Sequence, residues 1–337
     1  MKPGGVLESI PEHARTITHL STLIGGISIQ GHEFTAEPAY RASSTMSERV
    51  RDQLGVSEPN MDGLERQRAL QLQVQRDIRE EMLKKLTPME TIIFLDNNSP
   101  AANAVLSMIP YHQGQHLTDK EIAVALTIKT LSLGAPGDHC LTCGAENTIE
   151  HDQSCMMKNT YRTIRHNRLQ RHVLPAAVKS KQPTQTEFEC TIPKNQPQDP
   201  DLRIDVRVKG PGALNSLATD TDISVTAVTT NASRTLLRRW IMDNGERADL
   251  QLENPYKFAE EFIREVLETR AREKIAKYGE KTPYPFAPLI ITSGGWLHEV
   301  WYKWMVSLKP HLNMSRMYQK IGVILLQTRS LNFRLSY

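Results

Sequence analysis

The chain has 337 residues, of which 39% are hydrophobic and 23% charged, and its net charge is +3. This length allows two domains with cores of their own, and the composition is ordinary for a globular protein, but the net charge is too small to identify a charged partner. No run reaches the ~18 apolar residues that cross a bilayer, and the first residues lack the apolar core of a signal peptide. We therefore expect an intracellular, soluble protein, in which clustered cysteines bind metal more often than they form disulfides.

The first part of the chain is predicted to be mainly helical. Residues 63–86 are rich in helix-forming residues, with apolar side chains near helical spacing. Residues 100–133 predict two further helices. The second of these is expected to begin after Thr118, because the acidic residues Asp119 and Glu121 suit its first turn.

A cluster of cysteine and histidine residues follows the helices. Residues 139–172 contain three of the four cysteines and four of the eleven histidines. Four of these residues form the pattern C-x2-C-x7-H-x3-C: Cys140, Cys143, His151 and Cys155. Two close pairs of such ligands suit a tetrahedral zinc ion, and four protein ligands leave no open position for water. The pattern predicts a structural zinc site in a segment too small for its own core; the alternative is a chance cluster of buried cysteines.

A basic segment comes directly after the fourth ligand. Residues 156–186 include seven Lys or Arg and no Asp or Glu. Four arginines recur at every third position and are expected along one side of a helix: Arg162, Arg165, Arg168 and Arg171. A face of one charge is typical of a phosphate-binding surface, and the alternative is a solvated helix that faces an acidic neighbour. His166, among these arginines, is a candidate nucleic-acid contact or a helper in a nearby site, and a capping or packing role is the alternative.

Two later segments, DLRIDVRVKG and DTDISVTAV, alternate with the period of a β-strand. The residues between them favour a turn, so the two strands are expected to form a hairpin. Asp205 and Asp222 would then lie in the same region, where paired carboxylates can bind Mg²⁺. The stretch 180–200, which contains several Gln and Pro residues, is predicted to be a loop.

The order of these motifs resembles the C-terminal region of polyproteins from LINE-type, non-LTR retrotransposons that carry a restriction-like endonuclease. The shared pieces are the CCHC pattern, then RHN, a Glu, RIDV, DISV, AREKIAKY and PLIITSGG. Each piece is degenerate by itself, and the specificity comes from their order. The resemblance covers the chain from about residue 20 onward.

This resemblance implies an α+β or α/β fold in three parts. Residues 1–135 would be a helical linker that follows the polymerase thumb, and residues 136–180 a zinc knuckle with a basic helix. Residues 181–337 would be a nuclease of the PD-(D/E)xK class, with a central mixed sheet flanked by helices. The implied activity is Mg- or Mn-dependent cleavage of target DNA for target-primed reverse transcription in the nucleus.

The implied partners are the target DNA and the RNA of the element. The Y/F-x-D-D pattern of a polymerase palm does not occur in the sequence, so this chain is not expected to be a complete reverse transcriptase. A polymerase would belong to a longer or separate chain. The alternative function is a non-catalytic zinc knuckle that binds DNA or RNA, derived from a decayed or domesticated element.

The resemblance also assigns the nuclease residues. It makes Asp205 and Asp222 the metal carboxylates and Lys274 the lysine of the site, with Lys277 as its alternate. The nuclease class in general has its lysine two residues after the second acid, where this chain has Ser224. In the retrotransposon family the lysine comes from the later helix instead.

Several acids compete for the remaining roles. An acid from a helix before the strands would be Glu187 or Glu189. Asp201 lies in a literal Pro-Asp pair and is a rival first acid. Asp220 is a rival second acid that fits the family's spacing better and the strand pattern worse.

Overall fold

The structure is a computed structural model. It describes residues 10–29, 32–55, 67–106, 108, 116–132, 139–140, 143–145, 151, 155, 159–194, 201–214, 217–243 and 245–331. In this part of the chain, helices surround a four-stranded mixed sheet, so the protein belongs to the α+β class. Among the described helices, none is both long enough and apolar enough to span a membrane.

The described part of the segment before the candidate zinc ligands is mainly helical, as predicted. Its elements are α1 (Glu12–His19), a 3-10 turn (Thr22–Ile24), α2 (His32–Gln53), α3 (Gln67–Lys85), α4 (Pro88–Asp96), α5 (Pro100–Leu106) and α6 (Asp119–Lys129). The Thr118 hydroxyl accepts the Glu121 N–H, and the Glu121 carboxylate accepts the Thr118 N–H. This capping box satisfies two backbone donors at the start of α6, which confirms the predicted start of that helix.

The second half of the described chain alternates strands and helices. Its elements are α7 (Asn159–Arg168), a π-helical turn (Leu169–Val173), α8 (Leu174–Val178), β1 (Gln185–Thr191), β2 (Arg203–Lys209), β3 (Ala218–Thr226), α9 (Asn231–Asp243), α10 (Gly245–Glu253), α11 (Pro255–Tyr278), β4 (Phe286–Thr292), α12 (Glu299–Ser307) and α13 (Met314–Ser330). The prediction of a loop over residues 180–200 is wrong where β1 lies.

The strands are ordered β1-β2-β3-β4 across the sheet. β2 pairs antiparallel with both β1 and β3, and β3 pairs parallel with β4. The predicted β2–β3 hairpin is therefore confirmed. On β2, Ile204, Val206 and Val208 are buried on one face, while Asp205 and Arg207 point to the other, because successive side chains of a strand alternate between faces.

Two hydrophobic cores cover the two faces of the sheet. On β4, Ile290 packs into the core that contains α4 and α11, whereas Leu289 and Ile291 pack into the core that contains α8, α12 and α13. Phe94 of α4 and Phe262 of α11 belong to the same core and are at most 1% exposed. The packing is thus continuous between helices before the zinc ligands and the sheet, and the three-part division of the chain stays a prediction.

The helices before the zinc ligands are also fastened to the turn after β4. The Gly294 N–H donates to the Asp96 carboxylate at 3.1 Å, and the Ser99 hydroxyl donates to the Gly294 carbonyl at 2.6 Å. The Trp296 indole N–H donates to the Leu95 carbonyl at 2.9 Å. A Cβ on Gly294 would lie 2.1 Å from the Asp96 carbonyl oxygen, so this close approach of two backbones requires glycine.

Candidate functional site

The four predicted zinc ligands lie together. Sγ of Cys155 is 4.0 Å from Sγ of Cys140 and 3.7 Å from Sγ of Cys143, and Cys143 Sγ is 3.1 Å from Nε2 of His151. All four ligand atoms lie within 4.8 Å of one another. A tetrahedral zinc ion with Zn–S bonds of about 2.3 Å separates its sulfur ligands by about 3.8 Å. The Cys3His cluster could therefore hold a zinc ion.

Short backbone turns bring these ligands together. The Gly144 N–H donates to the Cys140 carbonyl at 2.8 Å, and the Cys140 N–H donates to the Ala145 carbonyl at 2.7 Å. Gly144 has a φ of +74°, in the left-handed region that glycine adopts at little cost. The Cys155 N–H donates to the His151 carbonyl at 2.8 Å. Backbone hydrogen bonds at each ligand pair therefore help to keep the two ligands of that pair close together.

Helix α7 extends from this cluster to the sheet. The Arg162 guanidinium donates to the Cys155 carbonyl at 3.0 Å. Arg162 and Arg165 line a cleft beside β3, together with His166. Arg168 instead donates to Gln327 of α13 at 3.3 Å. The four arginines expected on one surface therefore do not share a surface, because part of α7 packs against α13.

Arg171 is also directed away from the cleft. It lies in the π-helical turn that follows α7, and its guanidinium is 3.9 Å from the carboxylate of Glu189. A π-helical turn does not keep the angular spacing of an α-helix. Residues at every third position therefore do not stay on one face through this segment.

The two predicted metal carboxylates lie on adjacent strands and on the same face of the sheet. Arg207 of β2 is paired with Asp220 of β3. Val206 and Thr221 form the last pair of this antiparallel register, and Asp205 and Asp222 are the next residue beyond it on each strand. The Asp205 carboxylate accepts the Ile223 N–H at 2.6 Å in place of a backbone partner.

Helix α7 and the π-helical turn after it hold Asp205 from one side. Nε2 of His166 donates to the Asp205 carboxylate at 2.9 Å, and Gln170 donates to the Asp205 backbone carbonyl at 2.8 Å. The hydrogen bond to Asp205 raises the pKa of His166 above its ordinary value. Burial, followed by the negative charge of Asp205, raises the pKa of Asp222. Two close carboxylates in a half-enclosed site thus disfavour a second negative charge unless a cation is near.

A lysine from α11 provides one such cation. The Lys274 ammonium forms an ion pair with the Asp222 carboxylate, and the Lys274 side chain is 15% exposed. Burial and the charge of Asp222 raise the pKa of the neighbouring Tyr278. Lys277 is exposed, and its ammonium lies 4.7 Å from the Tyr278 ring centroid. The structure therefore brings Lys274, the preferred lysine, to the acid pair.

The candidate third acids lie on a strand. Glu187 was expected on a helix, which is wrong, because it belongs to β1 and forms an ion pair with Lys209 of β2 at 2.6 Å. Glu189, also on β1, has a φ of +53° and an exposed side chain. Neither is among the described residues that line the cleft.

The rival first and second acids have other partners. Asp201 is exposed and forms an ion pair with Lys194 at 2.9 Å. Asp220 is fully buried and accepts two hydrogen bonds from the Arg207 guanidinium, at 2.7 and 3.1 Å. A bidentate pair of this kind uses both carboxylate oxygens. Asp220 is thus engaged within the fold, while Asp222 faces the cleft.

The cleft has a volume of about 1160 Å³ and lies between α7, the end of β3, the start of α9 and α11. Its charged lining side chains are Arg162, Arg165, Arg239, Arg270, Glu273, Lys274 and Asp222. The cations outnumber the acids, so the cleft suits a polyanion. Sequence reasoning missed Arg239 and Arg270, because the cleft is formed by elements far apart in sequence and no local pattern shows which arginines of α9 and α11 face it.

Comparison of the chain with models of known protein families and with curated protein sequences finds no significant match. The carboxylate oxygens of Asp205 and Asp222 nevertheless indicate which metal ion would suit the acid pair. Mg²⁺ prefers oxygen ligands and is commonly bound by one or two carboxylates, with water and substrate phosphate completing its shell. Asp205 and Asp222 could hold such an ion at the side of a basic cleft.

Proposed function

We propose that this protein is a metal-dependent DNA endonuclease with a zinc knuckle, and that its sheet and helices form a restriction-like nuclease of the PD-(D/E)xK class. The observation that carries the proposal is that Asp205, Asp222 and Lys274 meet beside a cleft lined by arginines. The order of motifs in the sequence supports a role as the C-terminal part of a retrotransposon reverse transcriptase and endonuclease.

Each group in the site has a proposed role. Asp205 and Asp222 would hold Mg²⁺ or Mn²⁺, which polarises a phosphate and generates a nucleophilic water when bound. His166 keeps the Asp205 carboxylate in place. Lys274 would stabilise the negative charge that develops on the phosphate during attack. The arginines of the cleft would bind the DNA backbone, so affinity should fall steeply with salt.

The resemblance to retrotransposon polyproteins suggests a role for the proposed DNA cleavage. The nick in the target DNA would supply the 3′ end that primes reverse transcription of the element RNA. This reaction would take place in the nucleus, with the polymerase in a longer or separate chain. The zinc knuckle would bind nucleic acid next to the cleft, to which α7 connects it.

The test is nicking of supercoiled DNA in the presence of Mg²⁺. We expect Asp205→Asn and Asp222→Asn each to reduce nicking by at least about 100-fold, since each removes a metal ligand. Asp201→Asn and Glu187→Gln are matched controls, because they remove the same charge from exposed acids with other partners. Equal nicking by the wild type and all four variants would mean a contaminating nuclease or a wrong site.

A second candidate function is binding of DNA or RNA without cleavage. Asp205 pairs with His166 and Asp222 pairs with Lys274, and internal pairs of this kind also stabilise proteins that have no catalytic activity. This function predicts salt-dependent binding to DNA or RNA that Asp222→Asn does not weaken, with no nicking by the wild type. Nicking that disappears in Asp222→Asn would exclude it.

A further inference from the structure

Ser224 of β3 has a cationic partner from α11. The Arg270 Nε–H donates to the Ser224 hydroxyl at 3.1 Å, and both residues line the cleft. Ser224 is 8% exposed, whereas 42% of the Arg270 side chain is exposed. The guanidinium is thus held at one edge by a buried hydroxyl, with much of its surface open to the cleft.

The Arg270–Ser224 contact repeats the Lys274–Asp222 contact one step along the cleft. Ser224 follows Asp222 by two residues on the same face of β3, a rise of about 6.6 Å. Arg270 precedes Lys274 by four residues on α11, a rise of about 6 Å. The strand and the helix therefore present two cationic side chains in a row, with a spacing comparable to that of successive phosphates in one DNA strand.

We propose that Arg270 binds the phosphate next to the one that is cleaved, and so sets the position of the DNA strand in the site. This inference rests on the proposed endonuclease function and adds a substrate contact to it. Ser224, two residues after Asp222 on β3, carries no charge itself. Its cationic partner, Arg270, comes from helix α11.

The chemistry of the guanidinium suits this role. Arginine has five N–H donors in a fixed planar fork, so it can donate to Ser224 through Nε and still present donors to a phosphate. Glu273, one turn along the helix, forms an ion pair with Nη1 of Arg270 and is exposed. An arriving phosphate would compete with this exposed carboxylate, which costs little because exposed ion pairs are weak.

The first test compares variants by single-turnover nicking of a short duplex whose cleaved bond has been mapped, with Mg²⁺ present. Arg270→Gln should lower the rate at subsaturating protein by about tenfold or more, because it removes a charged hydrogen bond to the substrate. Arg270→Lys should recover part of the loss. Arg272→Gln is the matched control, because Arg272 lies on the same helix, is 60% exposed and pairs with Glu265; its rate should stay within about twofold of wild type.

The second test identifies the phosphate. Each linkage that flanks the cleaved bond is replaced in turn by an uncharged methylphosphonate. At one of the two flanking linkages, the replacement should slow nicking by the wild type by the same factor as Arg270→Gln slows nicking of unmodified DNA. The same replacement should not slow nicking by Arg270→Gln any further. Such non-additivity is the mark of two groups in contact.

Two results would overturn the inference while leaving the endonuclease intact. One is an Arg270→Gln rate within about twofold of wild type. The other is a methylphosphonate effect that is the same in Arg270→Gln and wild type at both flanking positions. Absence of nicking by the wild-type protein would overturn the proposed function and, with it, this inference.

Discussion

The zinc ligands and the acid pair are two candidate metal centres built in opposite ways. The zinc ligands span residues 140–155, and short turns bring them together. The acid pair gathers side chains from α7, β2, β3 and α11, with His166 and Lys274 more than a hundred residues apart. In the first centre the metal would organise the chain, whereas in the second the folded sheet already organises the ligands.

This difference has an energetic basis. A segment of some twenty residues buries too little apolar surface to fold alone, so the free energy of zinc binding would also be its folding free energy. The acid pair lies on a sheet with a hydrophobic core on each face. Its geometry should therefore survive without any ion, and the four predictions below test that contrast.

The largest effect is expected from removal of zinc. Chelation, or Cys155→Ser, should abolish zinc binding, whose free energy in small zinc modules is about 10–16 kcal/mol. Hydrogen exchange should then become fast around residues 139–155, while β2 and β3 keep their protection. Equal loss of protection in the strands would mean that the two regions fold as one unit.

The next largest effect concerns the buried pair behind the acid site. Arg207→Met leaves the fully buried Asp220 carboxylate without its bidentate partner, which should cost about 3–5 kcal/mol of unfolding free energy. Urea denaturation measures the loss, and Arg207→Met with Asp220→Leu should recover much of it. A loss below about 1 kcal/mol would contradict the view that Asp220 is part of the scaffold rather than of the site.

Lys274 and Lys277, near the end of α11, distinguish a side chain in the acid site from one on the surface. Lys274→Gln should reduce Mg²⁺-dependent nicking about 100-fold, equivalent to about 2.7 kcal/mol of transition-state stabilisation. Lys277→Gln should change nicking by no more than about threefold, because its ammonium lies over Tyr278 and is exposed. The opposite ranking of the two variants would transfer the catalytic role to Lys277.

The smallest effect is expected from the titration of a buried lysine in the helical part of the fold. Lys129 of α6 is 3% exposed and donates to Asn98 and Asn103, and burial lowers its pKa from 10.5 to about 7. The folded state therefore releases this proton more readily than the unfolded state. Stability should fall as pH falls from 10.5 towards 7 and then stay level.

The variant Lys129→Met isolates this contribution. Between pH 9 and pH 7, wild type should lose about 2 kcal/mol relative to the variant. Thermal or urea unfolding at the two pH values measures the difference, and titration of cysteine thiols cancels because both proteins contain them. Parallel pH curves for the two proteins would show that Lys129 titrates normally.

Much of the fold could be predicted because its signals are local. The capping box at Thr118, the alternation on β2 and the spacing of the zinc ligands each lie within about twenty residues. Strand β1 was missed because it is an edge strand: its side chains, including Phe188, are largely exposed, so no alternation of apolar residues marks it.

The acid site was only partly predictable, because its selection depends on long-range pairing. Asp220 and Asp222 lie on the same face of one strand, and sequence alone does not choose between them. The structure distinguishes them by their partners: Arg207 forms an ion pair with Asp220, and Lys274 forms an ion pair with Asp222. The contacts of His166 with Asp205, and of Arg270 with Ser224, join residues far apart in sequence and have no local signal at all.

The contact between Gly294 and Asp96 has a practical consequence for anyone who wishes to shorten this protein. Helix α4 supplies Phe94 to the core of α11 and is anchored at its end to the turn after β4. A fragment that begins at the zinc ligands would expose that apolar surface of α11 to water and should aggregate. The smallest well-behaved fragment that contains the sheet should therefore begin before Pro88, some fifty residues upstream of the candidate zinc ligands.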